Sequence, residues 1–437
     1  MGRLCLLLAT LAAAQISCPS AAVGAQPRKG VDILAAKITE GQRGFTGDLD
    51  VQDYFGKSVA GIGDLDGDGV IDAAVGTQYD DDGGLDRGAV YILFLNPNAT
   101  VKSEQKISST VGGFTGDLQN ADEFGSSVSA IGDLNGDGVV DLAVGAPGSE
   151  ISQGAVWIVF LNSDGTVLGQ QKISATEGGF TGELNDDLFG QGVTGIGDLD
   201  GDGVPDLAVG APLDDDGGIG EPFPNLGAVY VLFLNPDGTV KSNQKISQTE
   251  GGFTGDLNPF NNFGYSVANA GDVNADGVTD LVVGAWTDDT GAPNSGAAWI
   301  VFLNPDGTVN GQQKITSRIG GFTGRLGPDD FFGVGVSSVG DLNGDGVPDV
   351  AVGSYNKVWL LSLNGDGTVA SYRLISANTT RGRLQLGDDF FGNSVGLLGD
   401  LNGDGRSDLL VGAIYDSDSA YISGATWIIA LGGGTNP

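Results

Sequence analysis

The sequence predicts an all-β fold, a six-bladed β-propeller of four-stranded antiparallel blades whose last blade is closed by an N-terminal strand. Three observations predict it. A Phe-Gly pair recurs at Phe55-Gly56, Phe124-Gly125, Phe189-Gly190, Phe263-Gly264, Phe332-Gly333 and Phe391-Gly392, at spacings of 69, 65, 74, 69 and 59 residues. That period is too long for ankyrin or tetratricopeptide units and suits one propeller blade. Each repeat holds four short runs rich in Val, Ile and aromatics, bounded by Gly, Asn, Asp and Pro, which are strand and turn signals. Beyond the N-terminal segment no window carries sustained helical periodicity.

The elements follow in order. The first strand of a repeat comes after Phe-Gly, as in Ser58 to Gly63, and the second leaves an Asp-rich loop, as in Asp141 to Gly145. The third is a Gly-Ala-Val-aromatic run such as Gly154 to Leu161, and the fourth is Gln171 to Ser174 and its relatives. Asn235-Pro236-Asp237-Gly238-Thr239, with counterparts at 304–308 and 364–368, reads as a Pro- or Asx-nucleated hairpin turn between third and fourth strands. One third-strand position is always aromatic: Tyr91, Trp157, Tyr230, Trp299, Trp359 and Trp427. Sixfold recurrence favours packing between blades over a sugar-stacking platform. The sixth repeat ends after its third strand, Gly424 to Leu431, while residues 31–39 offer a lone strand whose Lys37-Ile38-Thr39 matches Lys314-Ile315-Thr316. Donated to the last blade, it would lock the ring and cover an open edge.

Residues 1–25 have the layout of a secretory signal peptide: Arg3, an apolar run from Leu4 to Ala14, then small residues with Val23 and Ala25 before a cut at Gln26. The run is shorter than the roughly 20 residues of a spanning helix, and no later segment could span a bilayer. Lipoprotein processing before Cys18 is disfavoured by its Gln15-Ile16-Ser17 lead-in. The expected organisation is a leader at 1–25, a short linker at 26–30 and a propeller at 31–434, in a secreted or cell-surface protein. The formal charge of −36 excludes nucleic acid as a natural partner and invites cations. The chain has no His, and its two cysteines, Cys5 and Cys18, fall in the leader. The usual proton-transfer side chain, a thiolate nucleophile and a Cys-based zinc site are therefore missing from the body.

Eight residues after each Phe-Gly begins a loop of the form D-x-[DN]-x-D-G-x-x-D. The first two are Asp64, Asp66, Asp68, Gly69, Asp72 and Asp133, Asn135, Asp137, Gly138, Asp141. The third and fourth are Asp198, Asp200, Asp202, Gly203, Asp206 and Asp272, Asn274, Asp276, Gly277, Asp280. The last two are Asp341, Asn343, Asp345, Gly346, Asp349 and Asp400, Asn402, Asp404, Gly405, Asp408. Side chains at positions 1, 3 and 5 can turn oxygens inward, and Gly at position 6 permits the bend. The position-7 carbonyl (Val70, Val139, Val204, Val278, Val347 or Arg406) and the position-9 Asp would complete an oxygen cage. Hard oxygen ligands in a flexible loop suit calcium, up to six structural ions. These are not EF-hands, because no Glu stands at position 12 and a strand, not a helix, follows. Arg406 makes the sixth loop the weakest candidate.

Phe-Gly, the acidic loop and then Gly145-Ala146-Pro147 or Gly210-Ala211-Pro212 resemble the FG-GAP repeat, as in the N-terminal propeller of integrin α subunits. The resemblance implies that the loop residues above are calcium ligands and that partners bind on the face opposite the loops. Departures are clear. Integrin propellers have seven repeats, only some with loops, whereas this chain has six, all with loops. Gly-Ala-Pro becomes Gly76-Thr77-Gln78, Gly284-Ala285-Trp286, Gly353-Ser354-Tyr355 and Gly412-Ala413-Ile414.

The expected function is that of a non-enzymatic binding or adhesion module for a protein or glycan. Its variable loops after the second strands, Asp80-Asp81-Asp82, Leu213 to Leu226 with Phe223, and Thr287 to Ser295, are the presenting elements. The alternative is a propeller-fold polysaccharide lyase or hydrolase in which calcium is structural. Asp329-Asp330 and Asp388-Asp389 are its candidate acid–base pairs, although Asp before Phe-Gly recurs as a turn signal. The sequence leaves ligand identity and oligomeric state open.

Overall fold

The computed structural model describes residues 35–216, 224–380 and 384–431. The leader, the linker and Phe223 lie outside them. Among the described residues, twenty-four strands form six four-stranded antiparallel sheets. The first blade runs Phe55–Gly63, Asp72–Thr77, Ala89–Asn96 and Thr100–Ile107, paired in that order. Second and third strands are buried along their length because their sheet is covered on both faces by neighbouring blades. Fourth strands are partly exposed between buried ends, as in Val167–Ser174. Among the described residues the helical element is a four-residue turn, Ser149–Ser152, with left-handed backbone at Glu150 and Ile151.

The ring closes as the sequence predicts. Ala35–Ile38 pairs antiparallel with Ala425–Ala430, setting Lys37 opposite Trp427 and Ile38 opposite Thr426. Lys314 stands opposite Trp299 in the same register, so the donated strand reproduces an ordinary fourth strand. Thr39 Oγ1 donates to the Gly424 carbonyl at 3.0 Å, and Gly424 forms a parallel bridge with Phe55 of the first blade.

The two halves of the repeat motif meet at the blade interfaces. All six Phe of Phe-Gly are fully buried, and the following Gly has φ near +90°, as at Gly56 and Gly125. Its carbonyl approaches the preceding blade so closely that a Cβ on Gly76 would lie 2.0 Å from Gly125 O, and one on Gly145 1.9 Å from Gly190 O. Ser58 and Ser127 hydroxyls donate to those same carbonyls at 2.8 and 2.7 Å, and Ser394 donates to Gly56 across the closure. The recurrent aromatics are buried, with Tyr91 stacked edge-on to Phe45 and Phe55 and Trp157 to Phe114. Packing is thus their role. The Asn-Pro-Asp-Gly-Thr segment is a hairpin turn: Asn235 N–H donates to Thr239 O at 2.8 Å and Thr239 N–H to Asp237 Oδ1 at 3.1 Å.

Candidate functional site: acidic loops and the face opposite

Each acidic loop joins the first and second strands of its blade, so all six emerge at one end of the ring. Their hydrogen bonds repeat. The position-1 Asp accepts the N–H of the position-6 Gly at 2.7–2.9 Å in every loop. The position-5 Asp accepts the N–H of residue 7, Arg406 included, at 2.9–3.0 Å. The position-9 Asp is buried and ties the loop to the sheet. One oxygen accepts the N–H of loop residue 2 at 2.9–3.2 Å. The other accepts from the third strand in five blades, as Leu95 N–H to Asp72 at 3.0 Å. Burial raises Asp72, Asp141, Asp206 and Asp408 to about 6 and Asp280 to about 7, and raises Asp349 as well.

The loops fall into two kinds. In the first and third, carboxylates at positions 1, 3 and 9 (Asp64, Asp66, Asp72 and Asp198, Asp200, Asp206) bring oxygens within 4.8 Å of one another. An ammonium from the blade's own fourth strand sits against positions 3 and 5. Lys102 Nζ lies 2.6 and 2.5 Å from Asp66 and Asp68, and Lys241 Nζ lies 2.6 Å from Asp200 and bonds Asp202. These lysines hold Asp68 and Asp202 below the usual carboxylate range. In the second, fourth and fifth loops position 3 is Asn, whose Nδ2 donates to the position-5 Asp at 2.9–3.0 Å. The donor set is all oxygen with carboxylates in excess, and two loops already hold a cationic group against it. That chemistry fits a hard divalent cation. The sixth loop is the exception, since Arg406 stands near a second guanidinium, Arg373, which burial and Arg406 lower.

The turns after the second strands carry a second, inward-facing arrangement that sequence reading missed. Asp80, Asp214 and Asp288 are buried, not solvated, and each grips a lysine of its fourth strand. Lys106 reaches Asp80 and Asp82 at 2.6 and 2.9 Å, Lys245 reaches Asp214 and Asp216 at 2.6 Å, and Lys314 reaches Asp288 at 2.7 Å. Lys172 uses Glu150 at 3.0 Å, and Lys37 bonds Asp416 and Asp418. Each of these lysines lies 5.3–6.0 Å from the recurrent aromatic ring of its blade. A signal existed: the fifth repeat has neither the acidic turn nor the lysine, carrying Leu374 instead.

Asp before Phe-Gly serves its turn. Asp53, Asp122, Asp187, Asp330 and Asp389, with Asn261 in the fourth blade, each accept a backbone N–H two or three residues earlier at 2.7–2.9 Å. Asp330 also bonds Lys357, and Asp388 bonds the Tyr355 hydroxyl.

At this same end, aromatics form a crescent over four blades. Tyr79 contacts Tyr54 at 5.0 Å, Tyr54 contacts Tyr415 at 5.9 Å, and Tyr415 contacts Phe390 at 5.5 Å. Phe390 meets Tyr355 and Phe331, and Phe331–Trp286–Tyr265 complete the arc at 5.1 and 4.7 Å. Tyr265 hydroxyl receives Lys57 Nζ at 3.3 Å beside the ring axis. The crescent occupies the first, fourth, fifth and sixth blades, which are the blades whose Gly-Ala-Pro is altered.

Comparison with known proteins agrees with this architecture. Residues 124–159, 189–232 and 263–301 match the FG-GAP repeat, and residues 341–411 match an FG-GAP-like repeat. The chain thus carries FG-GAP repeats. The chain is similar to integrin alpha-PS5 of Drosophila melanogaster, 40% identical over 163 residues, 37% of this chain and 15% of that protein. Integrin alpha-3 of Cricetulus griseus is 34% identical over 206 residues, 46% of this chain and 17% of that one. Integrin alpha-5 of Xenopus laevis is 32% identical over 232 residues, 53% of this chain and 20% of that one. The FG-GAP chain thus aligns with 15–20% of the length of these relatives. Among the described residues no helix is long and apolar enough to cross a membrane.

Proposed function

We propose that this FG-GAP propeller is an exported, calcium-stabilised binding module that engages a protein or glycan through the face opposite its acidic loops. Residues 1–25 serve as its leader, and the thirty positions of the six loops, from Asp64 to Asp408, are the calcium ligands, with the Arg406 loop the weakest. The observation that carries the reading is the coincidence of the aromatic crescent with the altered Gly-Ala-Pro elements. Where the repeat keeps its proline, at Pro147 and Pro212, the crescent is interrupted; where the proline is lost, Trp286, Tyr355 or the pairs Ile414-Tyr415 and Gln78-Tyr79 stand in its place. Half-buried aromatics held by one another form a rigid apolar platform, which loses little side-chain entropy on binding. Similarity to integrin α subunits supports an adhesive or binding role over catalysis.

The test is a glycan and extracellular-protein array probed with wild-type chain and with Tyr355→Ala/Tyr415→Ala, in calcium and in EDTA. Binding by wild type in calcium, lost in the variant at unchanged calcium stoichiometry, is expected. Undiminished binding by the variant would move the partner off this face. Cleavage of a polysaccharide on the array would favour the enzymatic alternative.

A further inference from the structure

Lys102 and Lys241 occupy the same place in two blades, one residue after the buried Val101 and Val240 near the start of the outer strand. The corresponding residues of the second, fourth and fifth blades are Leu168, Asn310 and Ala370. The lysines therefore occur where position 3 of the loop is Asp and not where it is Asn. In the Asn loops the side-chain amide donates to the position-5 carboxylate. In the Asp loops position 3 has no hydrogen to give, and the ammonium makes that contact, bridging positions 3 and 5 together. Counting the lysine, each of these five loops carries the same formal charge of about −3. The chain has conserved the charge of the loop while exchanging an amide for an Asp–Lys pair.

We infer that Lys102 and Lys241 are tethered counter-cations that compete with a divalent ion for the first and third loops, dividing the loops into two affinity classes. This rests on the calcium reading above. A divalent ion entering an Asn loop meets three carboxylates and an amide whose oxygen, accepting the position-5 N–H at 2.8–2.9 Å, carries no competing cation. In the first and third loops the same ion displaces an ammonium from two of its ligands before the fourth carboxylate becomes available. Both lysines project from the outer strand and are partly exposed, with side-chain exposure of 39% and 35%, so they can swing into water without disturbing the sheet. The first and third loops are accordingly the weaker, exchangeable sites, and their lysines hold the acidic cage together when calcium is scarce.

The experiment compares calcium-stripped wild type with Lys102→Met/Lys241→Met and with Leu168→Lys, by calorimetric calcium titration and by melting in EDTA. In the double variant two sites tighten by roughly three- to tenfold, the scale of a few partly exposed ion pairs, while stoichiometry is unchanged and melting in EDTA falls. Leu168→Lys supplies an ammonium beside the Asn135 loop and loosens one site. Unchanged or weaker calcium affinity in the double variant, with wild type binding normally, overturns the competition and leaves the calcium reading standing. Absence of calcium heat in wild type overturns both.

Discussion

Asp53→Asn should make the protein more stable at alkaline pH. Asp53 is 3% exposed, and its Oδ2 accepts the Asp50 N–H at 2.7 Å. Burial, reinforced by the neighbouring Asp80 and Asp50 charges, raises it from 3.8 to about 7. A carboxyl whose folded pKa exceeds its unfolded one binds its proton more tightly in the native state. Its charged form therefore opposes folding fully above about pH 7, and the opposition fades as pH falls toward 3.8. A displacement of about three pH units corresponds to an upper value of about 4 kcal/mol at pH 8, falling below about 2 kcal/mol at pH 5. The fourth blade shows that the charge is dispensable: Asn261 takes the same turn, its Oδ1 accepting the Asn258 N–H at 2.8 Å. For a chain of this size, unfolding entropy of about 0.8 kcal/mol per kelvin converts the pH 8 figure to a Tm gain of up to about 5 °C. Calorimetric melts of both proteins at fixed calcium from pH 5 to pH 8, subtracted pH by pH, cancel the titration of the other carboxylates. A difference that does not change with pH, or a variant less stable at pH 8, would refute the reasoning.

Two further predictions probe the ring itself. Gly145→Ala forces a Cβ to within 1.9 Å of the Gly190 carbonyl and should lose about 1–3 kcal/mol. Gly169→Ala, whose Cβ would meet Phe160 at an ordinary 3.7 Å, should stay within about 0.5 kcal/mol of wild type by denaturant melts. Deleting residues 31–39 removes the partner of Ala425–Ala430 and the Lys37 contacts to Asp416 and Asp418. Light scattering should find aggregates or open-ended oligomers, and a monomer of native stability would show that closure does not depend on this strand.

What every blade needs alike was legible in the sequence. A fully buried Phe, a Gly at positive φ and a second Gly under its carbonyl are demanded at each interface, so they recur and betray the blade count. The acidic loops were legible for the same reason, because one set of Asx hydrogen bonds shapes all six. The closing strand could be seen because Lys37-Ile38-Thr39 must satisfy the same register that Lys314-Ile315-Thr316 satisfies. Contacts that join distant residues within a repeat were not. Lys106 and Asp80 lie 26 positions apart, and their pairing becomes visible only when the strands bring the second turn and the fourth strand to one end of the blade. Asp80 therefore read as part of a presenting loop, although a buried carboxylate requires a partner.

Divergence between blades carries the remaining information, and it separates by face. At the acidic-loop end, substitutions compensate one another: Asp66 comes with Lys102 and Asp200 with Lys241, whereas Asn135 comes with Leu168. Such pairing is what a stability requirement produces, since an uncompensated fourth carboxylate would repel its neighbours. At the opposite end the changes do not cancel within a blade. Trp286, Tyr355 and Tyr415 each replace or follow the missing proline, and besides the contacts of Trp286 with Tyr265 and of Tyr415 with Phe390 inside their own blades they reach sideways, to Phe331, Phe390 and Tyr54 that precede the Phe-Gly of another repeat. A blade considered alone accounts at most for a pair of these aromatics, and only the assembled ring joins them into one surface. A propeller blade can vary freely at positions its neighbours do not constrain. Four blades converging on a single aromatic arc, while two keep the proline of the Gly-Ala-Pro element, is therefore the pattern expected of selection acting on a surface that spans blades rather than on the blade.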